Sequence, residues 1–128
     1  MPLDEHLNRI SVVNLPIQDS ITQDIRPVLE CISNAYNANY ITSSHYKVLI
    51  CCNQGISRSA TVVIYLLMKY HGMNLKQAFL FVKSKRRIIL PNTHFMHTLV
   101  EVEKELYDGV STLDIGPHGQ LYWKVSVD

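Results

Sequence analysis

Residues 48–68 of the 128-residue chain read VLICCNQGISRSATVVIYLLM, and the prediction of the fold begins from this stretch. An apolar, β-branched run ends at Cys52, a short loop that contains Gly55 follows, and residues 58–70 are apolar on nearly every side until Gly72 interrupts them. A short apolar run is typical of a buried strand, and a longer one that ends at glycine is typical of a buried helix. The stretch therefore predicts a strand, a tight loop and a central helix, in that order.

The loop between this strand and helix has the chemistry of an oxyanion site. The first turn of a helix presents backbone N–H groups and the positive end of the helix dipole, and Gly55 allows the loop to curl around one centre. Cys52 lies at the edge of those donors, where the thiolate is favoured over the thiol and can act as a nucleophile. Arg58 can hold two phosphate oxygens with its planar fork, and Ser59 can donate a hydrogen bond to the Cys52 sulfur. The alternative is a structural thiol beside a surface charge, which the combined spacing of Cys, Gly, Arg and Ser disfavours.

Upstream of this stretch, the pattern predicts another strand and a helix. Residues 10–17 (ISVVNLPI) form a β-branched run that ends in a polar loop, and residues 47–52 (KVLICC) form the second such run. Asp24 can cap a helix that carries Pro27 in its first turn, where the missing N–H costs little. A strand, a helix and a strand imply a parallel pair joined by a right-handed crossover. The apolar residues at helical spacing are Ile25, Leu29, Ile32 and Tyr36.

Downstream, two more helices are predicted. Asn74 is placed to cap the first of them, and Asn92, after Pro91, is placed to cap the second, which Gly109 ends. The first helix has one apolar face, formed by Leu75, Ala78, Phe79 and Val82, and the second is expected to turn Phe95, Leu99, Val102 and Leu106 inward. Residues 110–128 have turn residues and aromatics but no sustained period, so no structure is predicted for them.

Composition and charge limit the classes of partner. The chain is 47% apolar with a formal net charge of +1, so it should fold around one core and carries no bulk basic field that would attract nucleic acid. The apolar run at residues 60–68 is too short to span a membrane, and the polar start is unlike a signal peptide. Three cysteines without zinc-ligand spacing suit a reducing compartment. We expect a soluble protein of the cytoplasm, with the nucleus left open.

The segment CCNQGISRS resembles the HCxxGxxRS signature of the protein tyrosine and dual-specificity phosphatases. The helices predicted after it resemble those of the small, atypical dual-specificity phosphatases, and the resemblance covers about residues 10–109. It implies an α/β fold like that of the protein tyrosine phosphatases, with a parallel sheet core flanked by helices. Domains of this family usually carry further strands before the region where this chain starts, so we expect a catalytic domain at residues 1–109 that is short at its N-terminus, and a tail at 110–128.

The resemblance also implies an activity, which is hydrolysis of phosphotyrosine and phosphoserine or phosphothreonine in proteins through a phosphocysteine. Cys52 would be the nucleophile, and the general acid would lie on the loop after the upstream strand, at Asp19. Asp24 is the competitor for that role, but it has an alternative role as a helix cap. No metal or organic cofactor is needed, phosphorylated proteins are the expected partners, and no oligomeric state is predicted. The amides that would surround the phosphoryl group belong to Asn53, Gln54, Gly55, Ile56, Ser57 and Arg58.

Two departures from the family pattern leave alternatives open. The residue before the nucleophile is Cys51 instead of the usual histidine, which helps to orient the loop and to lower the thiol pKa. A catalytically weak pseudophosphatase that binds phosphoproteins is therefore the second hypothesis, and a phosphatase of RNA ends or lipids is the third. The other departure is His94, where the family often has glycine. His94 and His97 lie three apart on a predicted helix, but two histidines without a third ligand are more typical of a solvated face, so no metal is assigned.

Overall fold

The computed structural model describes residues 23–38, 57–85, 91–118 and 120–124. Within these ranges the chain forms four helices and one antiparallel pair of strands. The predicted parallel strands at residues 10–17 and 47–52 lie outside the described residues and stay predictions. None of the described helices is long and apolar enough to cross a membrane. The elements are α1 Arg26–Tyr36, α2 Arg58–Tyr70, α3 Leu75–Lys85, α4 Thr93–Leu106, β1 Leu113–Ile115 and β2 Leu121–Trp123.

Helix α2 occupies the centre of the described structure and packs against the three other helices. It begins at Arg58 and ends at Tyr70, and Gly72 follows with a φ of +69°, a left-handed conformation that glycine adopts without strain. Each fully buried aliphatic side chain contributes about 1.5–3 kcal/mol to folding. The buried residues of α2 are Ser59, Ala60, Thr61, Val62, Ile64, Tyr65, Leu66 and Met68. The prediction of a buried central helix stopped at Gly72 is confirmed.

Helix α1 packs against the C-terminal end of α2 through polar aromatic contacts. Tyr70 donates from its hydroxyl to the backbone carbonyl of Ser33 at 3.0 Å, and the hydroxyl of Tyr36 lies 2.7 Å from Nε2 of His71. The rings of Tyr36 and Tyr70 are 5.1 Å apart. These bonds satisfy hydroxyls that the packing partly removes from water, so the contact between the helices does not leave their polar atoms unpaired.

Asparagine side chains cap α3 and α4, as the sequence predicts. Oδ1 of Asn74 accepts from the N–H of Gln77 at 2.8 Å, and the Gln77 side chain accepts from the N–H of Asn74 at 3.0 Å, which is the reciprocal capping box. Oδ1 of Asn92 accepts from the N–H of Phe95 at 2.8 Å. Both helix starts are therefore determined by side chains within one turn of the first helical residue.

The inward face of α4 is shorter than the sequence predicts. Phe95, Leu99 and Val102 are buried, but Leu106 is 40% exposed, so the prediction that Leu106 turns inward is wrong. The last turn of α4 extends beyond the core, and the residue that follows it, Tyr107, reaches the loop between α2 and α3 by donating to the carbonyl of Met73 at 2.7 Å. Helical periodicity identifies the face of a helix but not where the core beneath it ends.

Glu103 is fully buried on α4 and joins three parts of the chain. One carboxylate oxygen accepts from the N–H of Leu75 at 2.7 Å, at the start of α3, and from the hydroxyl of Thr112 at 2.7 Å. The other accepts from the hydroxyl of Ser111 and the N–H of Thr112, each at 2.8 Å. A buried carboxylate costs several kcal/mol unless such bonds offset the loss of water. Glu103 thus ties the start of α3 to the chain that follows α4.

The chain after α4 forms a β-hairpin, for which the sequence made no prediction. Leu113 pairs with Trp123, and the ring of Trp123 lies 5.2 Å from that of Phe79 on α3. Leu113 is 1% exposed. An isolated two-stranded hairpin is marginal in water, and packing against the helices supplies the missing stabilisation. The predicted division between a domain at 1–109 and a tail at 110–128 stays a prediction, but part of that tail packs onto the helical core.

Candidate active site

Three residues of the predicted phosphate site belong to the described part of the chain: Ser57, Arg58 and Ser59. They lie at the start of α2, directly after the signature loop. The proposed nucleophile Cys52, the cradle residues Asn53, Gln54, Gly55 and Ile56, and the proposed general acid Asp19 lie outside the described residues, as does Cys51. The described part of the site is therefore the start of α2 and the residues that contact it.

Ser57 is the N-cap of α2, but its side chain does not cap the helix. Its hydroxyl oxygen instead accepts from the backbone N–H of Asn92 at 3.0 Å, and the side chain is in the interior with 5% of the residue exposed. Its carbonyl accepts from both the N–H of Thr61, at 3.0 Å, and the Thr61 hydroxyl, at 2.7 Å. The exit of the signature loop is thus held by bonds to α2 and to the segment before α4.

The first turn of α2 has the electrostatic character that the sequence predicts. It contains no acidic residue, so the positive end of the dipole is not neutralised by a carboxylate within that turn. Arg58 is the first residue of the helix and is half-buried, and Ser59 is 9% exposed. Both side chains begin at the end of the helix that adjoins the loop after Cys52. A phosphate group placed at this helix start would therefore meet the positive end of the helix dipole.

Residues 92–94, at the start of α4, contact both Ser57 and Gln23. Asn92 donates its N–H to Ser57, and two residues later Nε2 of His94 lies 2.6 Å from the carbonyl oxygen of Gln23. Gln23 is four residues after Asp19 in the sequence. The sequence singled out Asn92 as a cap, and His94 as a departure from the family and as one of two histidines that lie three apart. Both contacts join residues far apart in the chain, so no local pattern announces them.

Asp24, the competitor for the general-acid role, is bonded to the start of α1 but is not its N-cap as the sequence predicts, because the N-cap is Ile25 and no side-chain capping bond is made there. One of its carboxylate oxygens accepts from the N–H of Arg26 at 3.1 Å, in the first turn of α1. Arg26 in turn donates to Glu105 on α4, with N–O distances of 2.6 and 3.0 Å. That hydrogen bond lowers the pKa of Glu105 and raises the pKa of Arg26. The start of α1 is thus joined to the end of α4 by an exposed ion pair.

The two histidines that lie three apart do not form a metal site in the described structure. His94 uses Nε2 to contact the Gln23 carbonyl, and His97 is exposed. Within the described ranges, no three histidine, cysteine or acidic side chains come together at ligand distance.

The basic residues Lys83 and Lys85 at the end of α3 are exposed, and their ammonium groups lie 5.9 and 5.5 Å from the ring centres of Phe79 and Phe81.

Comparison with known protein families assigns most of the chain to one family. Residues 2–105 match the family model described as "Dual specificity phosphatase, catalytic domain". The chain is 33% identical over 95 residues to dual specificity protein phosphatase 14 of Mus musculus, a match that covers 74% of this chain and 47% of the mouse protein. The chain therefore spans about half the length of that relative.

Solved structures agree with this assignment. The crystal structure of human DUSP28 superposes with a TM-score of 0.67 at 32% identity and covers 73% of this chain and 64% of the human one. A mouse candidate dual specificity phosphatase complexed with zinc tungstate also has a TM-score of 0.67, at 33% identity, with 73% of this chain and 57% of the mouse chain covered. Both structures have a fold similar to that of this chain at 32% and 33% sequence identity, so the predicted α/β fold of the protein tyrosine phosphatase type is confirmed.

Proposed function

Because the chain belongs to the dual-specificity phosphatase family, we propose that it is the catalytic region of a phosphatase that hydrolyses phosphotyrosine and phosphoserine or phosphothreonine in cytoplasmic proteins. The observation that carries the proposal is the start of α2. Arg58 opens a buried helix directly after the Cys52 loop, and Ser57 anchors the loop exit without closing the helix start with its own side chain. This arrangement supports binding of a phosphoryl group at the helix dipole.

In the first step, the thiolate of Cys52 attacks phosphorus in line with the ester oxygen. The S–P bond forms as the P–O bond breaks, and Asp19 delivers its proton to the departing oxygen. Arg58 binds two of the phosphoryl oxygens through its fork. The backbone amides of residues 53–58 donate hydrogen bonds to the phosphoryl oxygens, over which the negative charge spreads in the transition state. The products of this step are the dephosphorylated substrate and a phosphocysteine.

In the second step, Asp19 is a carboxylate and accepts a proton from water, whose oxygen attacks phosphorus. The P–S bond breaks, inorganic phosphate leaves, and the thiolate of Cys52 is regenerated. Ser59 assists by donating a hydrogen bond to the departing sulfur. The cycle balances without an oxidant, a reductant or a metal ion, and each group returns to its starting protonation state.

Two points support protein phosphoesters as the substrate class. The mouse relative is named for dual-specificity protein phosphatase activity, and the other mouse protein was solved with tungstate, an oxyanion with the tetrahedral shape of phosphate. The chain has a formal net charge of +1, which provides little general attraction to RNA or anionic lipid. A site that depends on the local field at one helix start suits an ester displayed on a protein surface.

One observation favours a second function, a phosphoprotein-binding module with little turnover. Cys51 stands where the family has a histidine that supports ionisation of the nucleophile. A less ionised Cys52 would attack slowly, whereas the amides and Arg58 would still bind the anion. Binding without turnover would then be the function that remains at this site.

The test is metal-independent hydrolysis of an aryl phosphate by the purified chain, with a chelator present, between about pH 5 and 8. We expect turnover that Cys52→Ser abolishes and that Asp19→Asn lowers by about a hundredfold or more. Asp24→Asn is the matched control, since Asp24 is a nearby carboxylate bonded to the backbone of α1, and it should keep near-normal turnover.

The test is extended to binding of tungstate and phosphopeptides and to rates on phosphopeptides, RNA 5′ ends and inositol lipids. Three outcomes then separate the hypotheses. If a folded sample has no turnover but binds tungstate and phosphopeptides, the binding module replaces the enzyme. If Asp24→Asn is the slow variant and Asp19→Asn is not, the general acid is Asp24. If RNA 5′ ends or inositol lipids are hydrolysed much faster than phosphopeptides, the substrate class is wrong although the chemistry stands.

A further inference from the structure

His94 makes a polar contact that its place in the sequence does not explain. The residue lies in the first turn of α4 and is half-buried, and its Nε2 is 2.6 Å from the carbonyl oxygen of Gln23, a residue 71 positions earlier. A carbonyl oxygen can only accept, so Nε2 of His94 must carry the proton and donate. A short, partly buried bond of this kind holds both the ring and the backbone to which it donates.

The partner residue lies at the base of the segment that carries the proposed general acid. Gln23 is four residues after Asp19 and directly before Asp24, whose carboxylate is bonded to the first turn of α1. The backbone at Gln23 is therefore held on one side by α1 and on the other by His94. Gln23 is thereby held by two contacts, one between the neighbouring Asp24 and the backbone of α1 and one with the His94 side chain of α4.

Residues 92–94, which include His94, also hold the exit of the signature loop. Asn92 donates its N–H to the buried hydroxyl of Ser57 at 3.0 Å, and the Asn92 side chain caps α4. Ser57 directly precedes Arg58. Residues 92–94 thus contact the base of the acid-bearing segment at one end and the base of the phosphate loop at the other.

From these contacts we propose that His94 is a positioning residue for the general acid. By donating from Nε2 to the Gln23 carbonyl, it holds Gln23, four residues after Asp19 in the sequence, to the same residues 92–94 that contact Ser57. The inference rests on the proposed function, because it assigns a purpose to the contact within that reaction. Protonation of the leaving group requires placement of the acid to within a fraction of an ångström, so loss of the bond should slow the steps that need the acid most.

Leaving-group dependence distinguishes this role from a merely structural one. Phenyl phosphate releases a basic phenolate and needs the acid, whereas p-nitrophenyl phosphate releases a weak base and needs it little. The variant His94→Phe keeps an aromatic ring but removes the donor, and His94→Gln keeps an N–H at a similar reach. His97→Phe is the matched control, since His97 is an exposed histidine on the same helix.

For His94→Phe we expect kcat/KM, which reports the steps up to cleavage of the ester P–O bond, to fall about tenfold on phenyl phosphate and less than about twofold on p-nitrophenyl phosphate. His94→Gln should recover most of the loss, and His97→Phe should match the unaltered chain. An equal fall of kcat/KM on both substrates, or no fall on either, would overturn the proposal. If His94→Phe does not fold, His94→Gly, which introduces the residue that the family often has, takes its place with the same expectations.

A second measurement does not depend on turnover. Hydrogen exchange of the backbone amides at residues 23–26 should become about tenfold faster in His94→Phe and should be normal in His94→Gln and His97→Phe. If the unaltered chain has no phosphatase activity, the proposed function fails and the positioning role fails with it. If the chain is active and exchange at residues 23–26 is unchanged in His94→Phe, only the positioning role is overturned, because His94 then does not hold this segment.

Discussion

Two helices of this protein begin next to an anion-binding arrangement, but they obtain the anion from different sources. Helix α3 starts against the buried carboxylate of Glu103, which accepts from the N–H of Leu75 at 2.7 Å. Helix α2 starts at the loop that we propose binds a substrate phosphate, and its N-cap residue Ser57 turns its hydroxyl away to Asn92. The physics is the same at both ends, because a helix dipole favours negative charge at its first turn.

The comparison shows that an anion at the start of a helix can contribute either to stability or to catalysis. An anion that belongs to the chain is always present, so its bonds contribute to the free energy of unfolding. An anion that comes with the substrate contributes only when bound, so its interactions contribute to binding and to stabilisation of the transition state. Changes at the start of α3 should therefore alter stability, and changes at the start of α2 should alter rate.

The largest expected effect is on rate, at Arg58. Arg58→Lys keeps the positive charge but loses the fork that binds two oxygens, so kcat on an aryl phosphate should fall by about 10²–10³-fold, with the midpoint of urea unfolding unchanged. The control is Arg26→Lys, which alters an arginine paired with Glu105 away from the site and should leave kcat as it is. A fall of less than about threefold would mean that charge alone is enough at this position.

The next effect is on stability, at Glu103. Glu103→Ala leaves four donors, of which two are buried and two partly buried, without their carboxylate, so the free energy of unfolding should fall by about 3 kcal/mol, while kcat of the folded protein stays near normal. Urea denaturation measures the first quantity and steady-state kinetics the second. Glu101→Ala, an exposed glutamate on the same helix, should cost less than about 0.5 kcal/mol. Equal losses for the two variants would contradict the role of Glu103.

A smaller effect separates the two asparagine caps. Asn74→Ala and Asn92→Ala each remove one capping bond and should each lower the free energy of unfolding by about 1 kcal/mol. Only Asn92 belongs to the segment that contacts Ser57, so only Asn92→Ala should also lower kcat, by about threefold. Parallel unfolding and kinetic measurements on the pair test this. Equal kcat values for both variants would show that the segment tolerates loss of its cap.

The smallest effect depends on pH and lies outside both helix starts. Arg26 lowers the pKa of Glu105 below its ordinary value of 4.5, so the pair stabilises the fold at neutral pH and loses that contribution as the pH falls through the lowered pKa. Because Glu105 is exposed, Arg26→Gln should cost only about 0.5 kcal/mol at pH 7. The difference from the unaltered chain in urea unfolding should shrink as the pH falls through this lowered pKa, and a difference that persists once Glu105 is protonated would refute this cause.

The sequence predicted most of the helical structure because the information is local. Gly72 marks the end of α2 through its left-handed backbone, Asn74 and Asn92 mark helix starts through bonds made within one turn, and apolar spacing identified the buried faces. Leu106 was assigned wrongly because spacing does not reveal how far the core extends. The hairpin could not be predicted, since its two strands have three residues each and depend on a contact between Trp123 and the helices.

The site divides in the same way. Arg58 and Ser59 follow from the motif, and the start of α2 at Arg58 agrees with their predicted place. The contacts of Ser57 with Asn92 and of His94 with Gln23 could not be predicted, because they join residues 35 and 71 positions apart. Glu103 was equally hidden, since a charged residue on an inward face looks unfavourable until its remote donors are known.

The bonds of Glu103 also have a consequence for the order in which the chain is made. Leu75 precedes Glu103, but the other three donors belong to Ser111 and Thr112, which leave the ribosome after it. Until Thr112 has emerged, burial of the carboxylate would leave most of its hydrogen-bonding capacity unused. We therefore expect the junction between α3 and α4 to close only after Thr112 has left the ribosome.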